Sequence, residues 1–347
     1  MKTRYYWLIW LLLFFTACEE YYTPAIDQTD GHLVVDALVT NDVNNKVVHL
    51  SWSKGFYSNQ LTQSVSGAKV ELIQSNGQVF SSSVTGVGYF TFEMIPEIGK
   101  SYKLRVSIGK DVYESEFVTM PPNPSIDSLY VGDKVKEFYE PDIYGRPYAV
   151  SLNGLEFYID APVTTQLANY RFNVRSVLEW IYYPPGLAPP VYGWESFVDN
   201  SSYILAGSNK MNATTNKIEQ FPILFLPNNP QEYLHADSLK SNGWIVVIDQ
   251  FGTSVGSYDY HQQINSQFAA DGSLFDPIQT QILGNITCKT DPTKRAFGYF
   301  DLNSYNSINY FANFSGPQAS IKLRKLINFP FVPVKGQIVG IPPQWWQ

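Results

Sequence analysis

Two short segments of this 347-residue chain carry residue types at spacings that covalent chemistry uses. One is Gly252-Thr253-Ser254-Val255-Gly256, which has the spacing of the sharp turn that exposes a nucleophilic serine in α/β-hydrolases. Such a serine needs a histidine that follows it in the chain and can reach it. The only later histidine is His261, seven residues on and within a predicted helix. We therefore interpret the segment as a turn that uses glycine for its backbone freedom, and we predict no catalytic residue.

The second segment lies at the amino terminus and ends in Cys18. Lys2 and Arg4 precede an unbroken apolar run of 11 residues, 5–15, and small residues follow the run. This order of charge, short apolar core and small residues is typical of a signal peptide, which we assign to residues 1–17. The run is too short for a membrane-spanning helix, which needs about 20 apolar residues.

Phe15-Thr16-Ala17-Cys18 resembles the bacterial lipobox, whose cysteine receives a thioether-linked diacylglycerol before cleavage. Cys18 is therefore the predicted lipid attachment site, and a lipid bilayer is the partner expected through it. Two or more acyl chains give stable anchoring, because each buried methylene contributes roughly 0.8 kcal/mol. Residues 18–31 are predicted to form a lipidated tether. Glu19-Glu20 resembles the surface-export signal of Bacteroidota lipoproteins, so we expect a cell-surface protein of the outer membrane; an anchor facing the periplasm is the alternative.

Other residues that could bind a metal or react as a thiol are isolated in the sequence. His32 and His49 fall on predicted strands without a second ligand in sequence reach, so we interpret them as sheet residues. Cys288 falls in an alternating segment, which predicts a small, buried side chain. We predict no metal ligand and no cofactor.

Composition narrows the class of protein. Hydrophobic residues make up 44% of the chain, which is enough for packed cores, while charged residues reach only 16%. Aromatic residues also reach 16%, and with 23 Gly and 22 Pro they favour sheets joined by tight turns. Loss of Lys2 and Arg4 with the signal peptide leaves 22 basic against 31 acidic residues, a net charge of −9. A mildly acidic chain without a basic cluster is not expected to bind nucleic acid.

Residues 32–120 have the pattern of a β-sandwich. Segment 33–40 is rich in β-branched residues, and Asn76-Gly77 is a strong hairpin signal. In segment 102–108 apolar and polar residues alternate, as in a sheet that is buried on one face. About seven short strands at this spacing indicate an immunoglobulin-like or transthyretin-like sandwich.

A proline-rich segment, 121–124, follows the sandwich and cannot continue a central strand. It is the predicted linker to a second, β-rich domain over residues 125–347. There the pattern predicts further strands and one short helix over 257–270, where apolar residues recur every four positions from Tyr260. The predicted fold class is therefore mainly β.

Seven motifs form a series along the chain. They are Leu33-Val34-Val35-Asp36-Ala37, Val65-Ser66-Gly67-Ala68-Lys69-Val70-Glu71-Leu72, Gly99-Lys100-Ser101-Tyr102-Lys103-Leu104, Ile126-Asp127-Ser128-Leu129, Gly272-Ser273-Leu274-Phe275-Asp276-Pro277, Gly284-Asn285-Ile286 and Gly298-Tyr299-Phe300. In this order they resemble a group of Bacteroidota lipoproteins, domain-of-unknown-function family 4249. The resemblance covers most of the chain after Cys18. It implies a lipoprotein often encoded beside an outer-membrane TonB-dependent receptor, and hence an accessory role in nutrient capture.

The leading hypothesis is a non-enzymatic accessory or binding protein that works with a TonB-dependent transporter. The residues do not name its ligand, which could be a small molecule, a glycan or a peptide. An envelope-structural or adhesion lipoprotein without a transport role is the second hypothesis, and a surface hydrolase of unrecognised type is the third. Abundant Tyr and Trp suit a contact surface, since both offer apolar area with one hydrogen-bonding group, but sheet cores use the same residues.

Overall fold

The computed structural model describes residues 31–44, 46–54, 62–182, 186, 191–198, 203–227, 239–269, 281–313, 322–326 and 337–339. Cys18 and the predicted signal peptide, 1–17, lie outside this described part of the chain. Within the described part, none of the helices combines the length and apolar character that crossing a membrane requires.

The described residues form 22 β-strands, one α-helix and one turn of 3₁₀ helix. In chain order the strands are β1 (Leu33–Thr40), β2 (Lys46–Trp52), β3 (Gln63–Ser64), β4 (Lys69–Gln74), β5 (Val79–Ser81), β6 (Ser83–Gly86), β7 (Tyr89–Thr91), β8 (Ser101–Ile108), β9 (Asp111–Ser115), β10 (Val118–Thr119), β11 (Ser128–Pro141), β12 (Pro147–Pro162), β13 (Asn169–Tyr182), β14 (Val191–Val198), β15 (Ile204–Ala206), β16 (Met211–Asn212), β17 (Lys217–Pro227), β18 (Leu239–Thr253), β19 (Ile286–Cys288), β20 (Ala296–Asn313), β21 (Lys322–Leu326) and β22 (Gln337–Val339). The helix α1 spans Val255–Phe268, and the 3₁₀ turn spans Ser208–Lys210.

The strands assemble into three sheets. The largest has twelve strands in the order β22-β14-β13-β18-β20-β1-β2-β7-β6, with β15, β21 and β3 paired to β13, β20 and β2. A six-stranded sheet has the order β19-β9-β8-β4-β5, with β10 on β8, and a four-stranded sheet has the order β11-β12-β17-β16. The mainly β prediction, with an N-terminal sandwich and one α-helix further on, is confirmed for the described residues.

The N-terminal sandwich buries alternate side chains of two facing sheets. In β8, Tyr102, Leu104 and Val106 are at most 1% exposed, and the residues between them are more exposed, as the alternation predicts. These side chains pack in one core with apolar side chains of β1 and β2. The hairpin predicted at Asn76-Gly77 joins β4 to β5, and Gly77 has the positive φ of 92° that the turn requires.

A second core lies between the four-stranded sheet and the adjoining part of the large sheet. Phe157 and Ile159 from β12 and Val246 and Ile248 from β18 are fully buried in it. Burial of a side chain of this size stabilises the fold by roughly 1.5–3 kcal/mol. These strands therefore hold the second β-rich part of the chain together.

The N-terminal core is completed by residues from far along the chain. β19 pairs with β9, and β20 pairs in parallel with β1. As a result, Ile286, Cys288, Phe300 and Leu302 lie in the same core as β8. Cys288 is 7% exposed, so the prediction of a buried strand residue is confirmed.

The proline-rich segment 121–124 is held against the large sheet where the two cores meet. The Ser304 hydroxyl of β20 donates to the Pro122 carbonyl at 2.6 Å. β20 contributes side chains to both cores, Phe300 to the first and Ala312 to the second. The two cores therefore share β20. The domain limits predicted from the sequence, 32–120 and 125–347 with a linker at 121–124, stay a prediction.

Candidate functional site

Of the two segments with possible covalent chemistry, the structure describes 252–256 and does not describe the one that ends at Cys18. Cys18, the predicted lipid attachment site, lies outside the described residues. The segment 252–256 is fully described and lies where β18 ends and α1 begins. The prediction of a helix here is confirmed, with Val255–Phe268 as its bounds.

The helix begins at this segment because Ser254 caps it. Ser254 has an extended backbone conformation, with φ −68° and ψ 162°, and its side chain accepts a hydrogen bond from the Ser257 amide at 3.2 Å. The first four amides of a helix have no partner within it, so this side chain supplies one of the missing acceptors. The Ser254 hydroxyl therefore has a structural task at the start of α1.

The two glycines of the segment are required for space, which corrects the interpretation that they supply backbone freedom. Neither has a positive φ. A Cβ at Gly252 would lie 2.5 Å from Ser304 Oγ, and a Cβ at Gly256 would lie 2.7 Å from the Tyr299 hydroxyl. The close approach of β18 and α1 to β20 therefore selects glycine at both positions.

The partners of His261 show that it does not act on Ser254 in this structure. Its Nδ1 lies 2.8 Å from the Ser257 carbonyl oxygen, and its Nε2 lies 2.8 Å from Nη1 of Arg171. A guanidinium only donates, so Nε2 accepts, and Nδ1 carries the proton that it donates to the carbonyl. Burial lowers the pKa of His261, although the nearby Asp301 acts in the opposite direction. The ring is therefore neutral, and both nitrogens have partners other than a serine hydroxyl.

Arg171 of β13 is the centre of a buried cluster beneath α1, the Arg171 cluster, which also contains His261, Asp301 and Phe251. Nη1 of Arg171 donates to Asp301 Oδ2 at 3.2 Å, and the guanidinium lies 4.8 Å from the centre of the Phe251 ring. Arg171, His261 and Asp301 are each at most 6% exposed. Removal of one partner would leave another polar group buried without compensation, so the cluster fixes α1 against the large sheet.

Buried polar atoms without a hydrogen-bond partner occur beside this cluster. Among the described residues they include Thr253 Oγ1, Ser257 Oγ, Asp301 Oδ1 and both polar atoms of the Asn303 side chain. The set contains donors and acceptors, and water can satisfy both kinds. A bare cation would need oxygen ligands alone and would be repelled by Arg171. This region is therefore suited to internal hydration.

The isolated histidines predicted to be sheet residues make aromatic contacts. His49 of β2 stacks on Tyr89 with ring centres 4.2 Å apart, and His32 meets Phe297 edge to face at 5.1 Å. In the described part of the chain, no group of three or more His, Cys, Asp or Glu side chains could hold a metal ion. The interpretation as a sheet residue is confirmed for His49, whereas His32 lies one residue before β1 begins at Leu33.

A cleft of about 630 Å³ opens beside the start of α1. Residues 116–122, 165–169 and 253–256 form most of its lining. Phe117 contributes apolar surface and is 49% exposed, Glu116 contributes a charged side chain, and Val255 and Gly256 belong to the first turn of α1. The cleft thus combines apolar walls with a few polar groups from separate segments.

Neither the Arg171 cluster nor the cleft was predicted from the sequence. Arg171 and Asp301 are 130 positions apart, and the sheet register that aligns their strands is not visible in the residue pattern. The available signals were a charged residue within the apolar segment 170–174 and the glycine spacing of 252–256. Neither signal specifies a partner strand, so neither predicts the cluster or the cleft.

Comparison with known families confirms the family to which the seven motifs point, domain-of-unknown-function family 4249. A family model described as "Domain of unknown function (DUF4249)" matches residues 19–308. No curated protein matches the chain.

Proposed function

The chain belongs to the DUF4249 family, a family of unknown function, and we propose that it is a lipid-anchored outer-membrane protein that binds a nutrient in its cleft and assists a TonB-dependent transporter. On this proposal, Cys18 carries the lipid and the folded part faces the cell exterior. The protein acts by binding its ligand and does not catalyse a reaction.

The cleft beside α1 is the observation that carries the binding role. Its volume of about 630 Å³ falls within the range of roughly 300–1,000 Å³ that is typical of small-molecule sites. Exposed apolar side chains such as Ile98 and Phe117 line it together with polar ones such as Glu116 and Asn169. Apolar walls provide affinity, while a few polar groups orient the ligand.

The membrane role is supported by the amino-terminal sequence. The apolar run 5–15 and the tetrad that ends at Cys18 have the order of a lipoprotein signal. Glu19-Glu20 fits export to the surface of a Bacteroidota outer membrane. We propose a TonB-dependent transporter as the partner because lipoproteins that resemble this chain are often encoded beside TonB-dependent receptors.

The cleft is tested by filling it. Val255 lines the cleft and is 65% exposed, so Val255→Trp places a large ring in the space with little effect on the core. Val87, which is 68% exposed and does not line the cleft, gives the matched control Val87→Trp. Native mass spectrometry of gently isolated protein should show a bound small molecule on the wild type and on Val87→Trp, and none on Val255→Trp. Equal occupancy of the two variants would remove the cleft from the proposal.

The transporter is tested by affinity isolation of the tagged full chain from detergent-solubilised outer membranes. We expect recovery of a TonB-dependent receptor in near-stoichiometric amount, and loss of this receptor with Cys18→Ser. Isolation of the anchored protein without any such receptor would favour the envelope-structural or adhesion role.

A further inference from the structure

Glu116 is the only residue with a full charge in the described lining of the cleft. The other described lining residues include no Asp, Lys, Arg or His. Their polar members, such as Thr119, Gln166 and Asn285, are neutral. A ligand in the cleft therefore meets one negative charge and no positive side chain on the described walls.

The carboxylate of Glu116 is not neutralised by the cations that lie near it in the chain. Lys103 and Arg105 both pair with Glu114, at 2.6 Å and 2.7 Å. Lys100 is exposed and does not line the cleft. Glu116 is itself exposed, and within the described part of the chain no cation pairs with it. Its charge is therefore available to a ligand.

The phenol of Tyr299, which lines the same cleft, lies in the field of several carboxylates. Burial raises the pKa of Tyr299 to about 12, and Asp301, Glu116 and Asp259 act in the same direction. A phenol with this pKa is uncharged near neutral pH. Tyr299 therefore adds no charge of its own, and the carboxylates around it make this side of the cleft attractive to a cation.

The start of α1 acts in the opposite direction, because a helix begins with about half a positive charge. Ser254 offsets part of this charge, since its side chain accepts from the Ser257 amide at 3.2 Å. The full negative charge of Glu116 is about twice the charge of the helix start. The net electrostatic preference of the cleft is therefore for a cation beside Glu116.

Three apolar side chains of the lining are exposed. Ile98, Phe117 and Val255 are 47%, 49% and 65% exposed. An apolar ligand body that covers them removes their surface from water, which favours binding. Phe117 follows Glu116 directly in the chain, so apolar contact area adjoins the carboxylate.

We propose that the cleft binds an organic molecule with a protonated amine and an apolar body, the amine at Glu116 and the body against Ile98, Phe117 and Val255. This inference rests on the proposed binding role of the cleft and names the class of its ligand. A protonated amine donates charge-assisted hydrogen bonds to a carboxylate, and these are stronger than neutral ones. A metal ion is a poorer match, because calcium or magnesium takes about six or more oxygen ligands.

Three probes with the same apolar body separate charge from shape. Near about pH 7, phenethylamine is a cation, phenethyl alcohol is neutral and hydrocinnamate is an anion. Isothermal titration calorimetry of the full-length protein in detergent measures their binding, and Val255→Trp, which fills the cleft, gives the background. Above this background we expect phenethylamine to bind at least about fivefold more tightly than phenethyl alcohol, and hydrocinnamate not to bind.

Glu116→Gln removes the charge and keeps the size of the side chain. We expect the affinity for phenethylamine to fall about fivefold, which corresponds to the roughly 1 kcal/mol of the stronger exposed ion pairs, and the affinity for phenethyl alcohol to stay unchanged. Glu97→Gln is the matched control, since Glu97 is exposed, precedes Ile98 and does not line the cleft. It makes the same change in net charge and should leave both affinities unchanged.

The outcomes separate the class of ligand from the binding role of the cleft. Equal binding of the amine and the alcohol, tighter binding of hydrocinnamate, or equal effects of Glu116→Gln and Glu97→Gln would each overturn the amine ligand. The cleft would stand as a binding site in these cases, provided that Val255→Trp abolishes the binding. If no probe binds the wild type above the Val255→Trp background, the amine ligand and the binding role both fall.

Discussion

His261 occupies a place where a charged ring would be costly. Its Nε2 accepts from Arg171, so protonation of this nitrogen would set two cations against each other. Burial lowers its pKa in the folded protein, whereas a histidine in an unfolded chain titrates near about 6.5. The unfolded state therefore binds the proton more readily. Stability from this group is fully present above about pH 6.5 and is lost as the pH falls further.

His261→Gln tests this dependence, because glutamine can accept from Arg171 but does not titrate. We expect the free energy of unfolding of the wild type to fall between about pH 7.5 and pH 5.5, and that of the variant to fall less steeply. Urea unfolding at the two pH values, followed by tryptophan fluorescence, measures both. Parallel decline of the two proteins would show that other groups cause the pH dependence.

The burial of a single residue could be predicted from the sequence where it depends only on neighbouring residues of the same strand. The side chains of β8 alternate in burial as expected, because successive side chains of a strand point to opposite faces of the sheet, and Cys288 is buried as its alternating segment predicts. The Arg171 cluster could not be predicted, since the contact with Asp301 depends on how β13, β18 and β20 align. The residues of the cluster can be read in the sequence, but the alignment of the three strands that brings them together cannot.

At the scale of elements, the start of α1 depends on the cap that Ser254 provides. Ser254→Ala should lower the free energy of unfolding by about 1 kcal/mol, because the Ser257 amide loses its acceptor. Ser266→Ala on the same helix is the control; its hydroxyl only donates back to the Gln262 carbonyl, so its loss should be neutral. Denaturant unfolding of the two variants gives the comparison. Equal stability of both would mean that the cap contributes nothing.

The parallel pairing of β1 with β20 depends on Gly298. This residue has a φ of 88°, and a Cβ there would lie 2.0 Å from the Val35 carbonyl oxygen. We expect Gly298→Ala to destabilise the protein by more than about 3 kcal/mol, because strain and steric overlap add. Gly86→Ala is the control, since its Cβ would make only ordinary contacts at 3.7 Å, and it should change stability by less than about 0.5 kcal/mol. A mild effect of Gly298→Ala on the midpoint of urea unfolding would contradict the close approach of the two strands.

Elements with local signals were predictable, and pairings between distant elements were not. The hairpin at Asn76-Gly77 and the helix at 255–268 follow from turn chemistry and periodicity. The pairing of β1 with β20 joins segments more than 250 residues apart, and nothing in either segment specifies the other. The cleft could not be predicted for the same reason, since its lining comes mostly from three separate segments and is completed by Ile98, Gly99, Asn285 and Tyr299.

At the scale of the whole molecule, the first core depends on the far end of the chain. A fragment of residues 32–124 would lack Ile286, Cys288, Phe300 and Leu302, and the apolar contacts that they make. Burial of each large apolar side chain contributes roughly 1.5–3 kcal/mol, which is a large part of the stability of a small domain. We expect the fragment to show no cooperative thermal transition by circular dichroism. A fragment that melts as sharply as the full chain would show that residues 32–124 form an independent domain.

The proposed lipid anchor at Cys18 is the premise on which the proposed membrane location and transporter role both depend. Mass spectrometry of the amino-terminal peptide from the mature protein tests it most directly. We predict that the peptide begins at Cys18 and carries a diacylglyceryl thioether on its sulfur. An unmodified Cys18 in a mature protein that is released freely from cells would contradict the account.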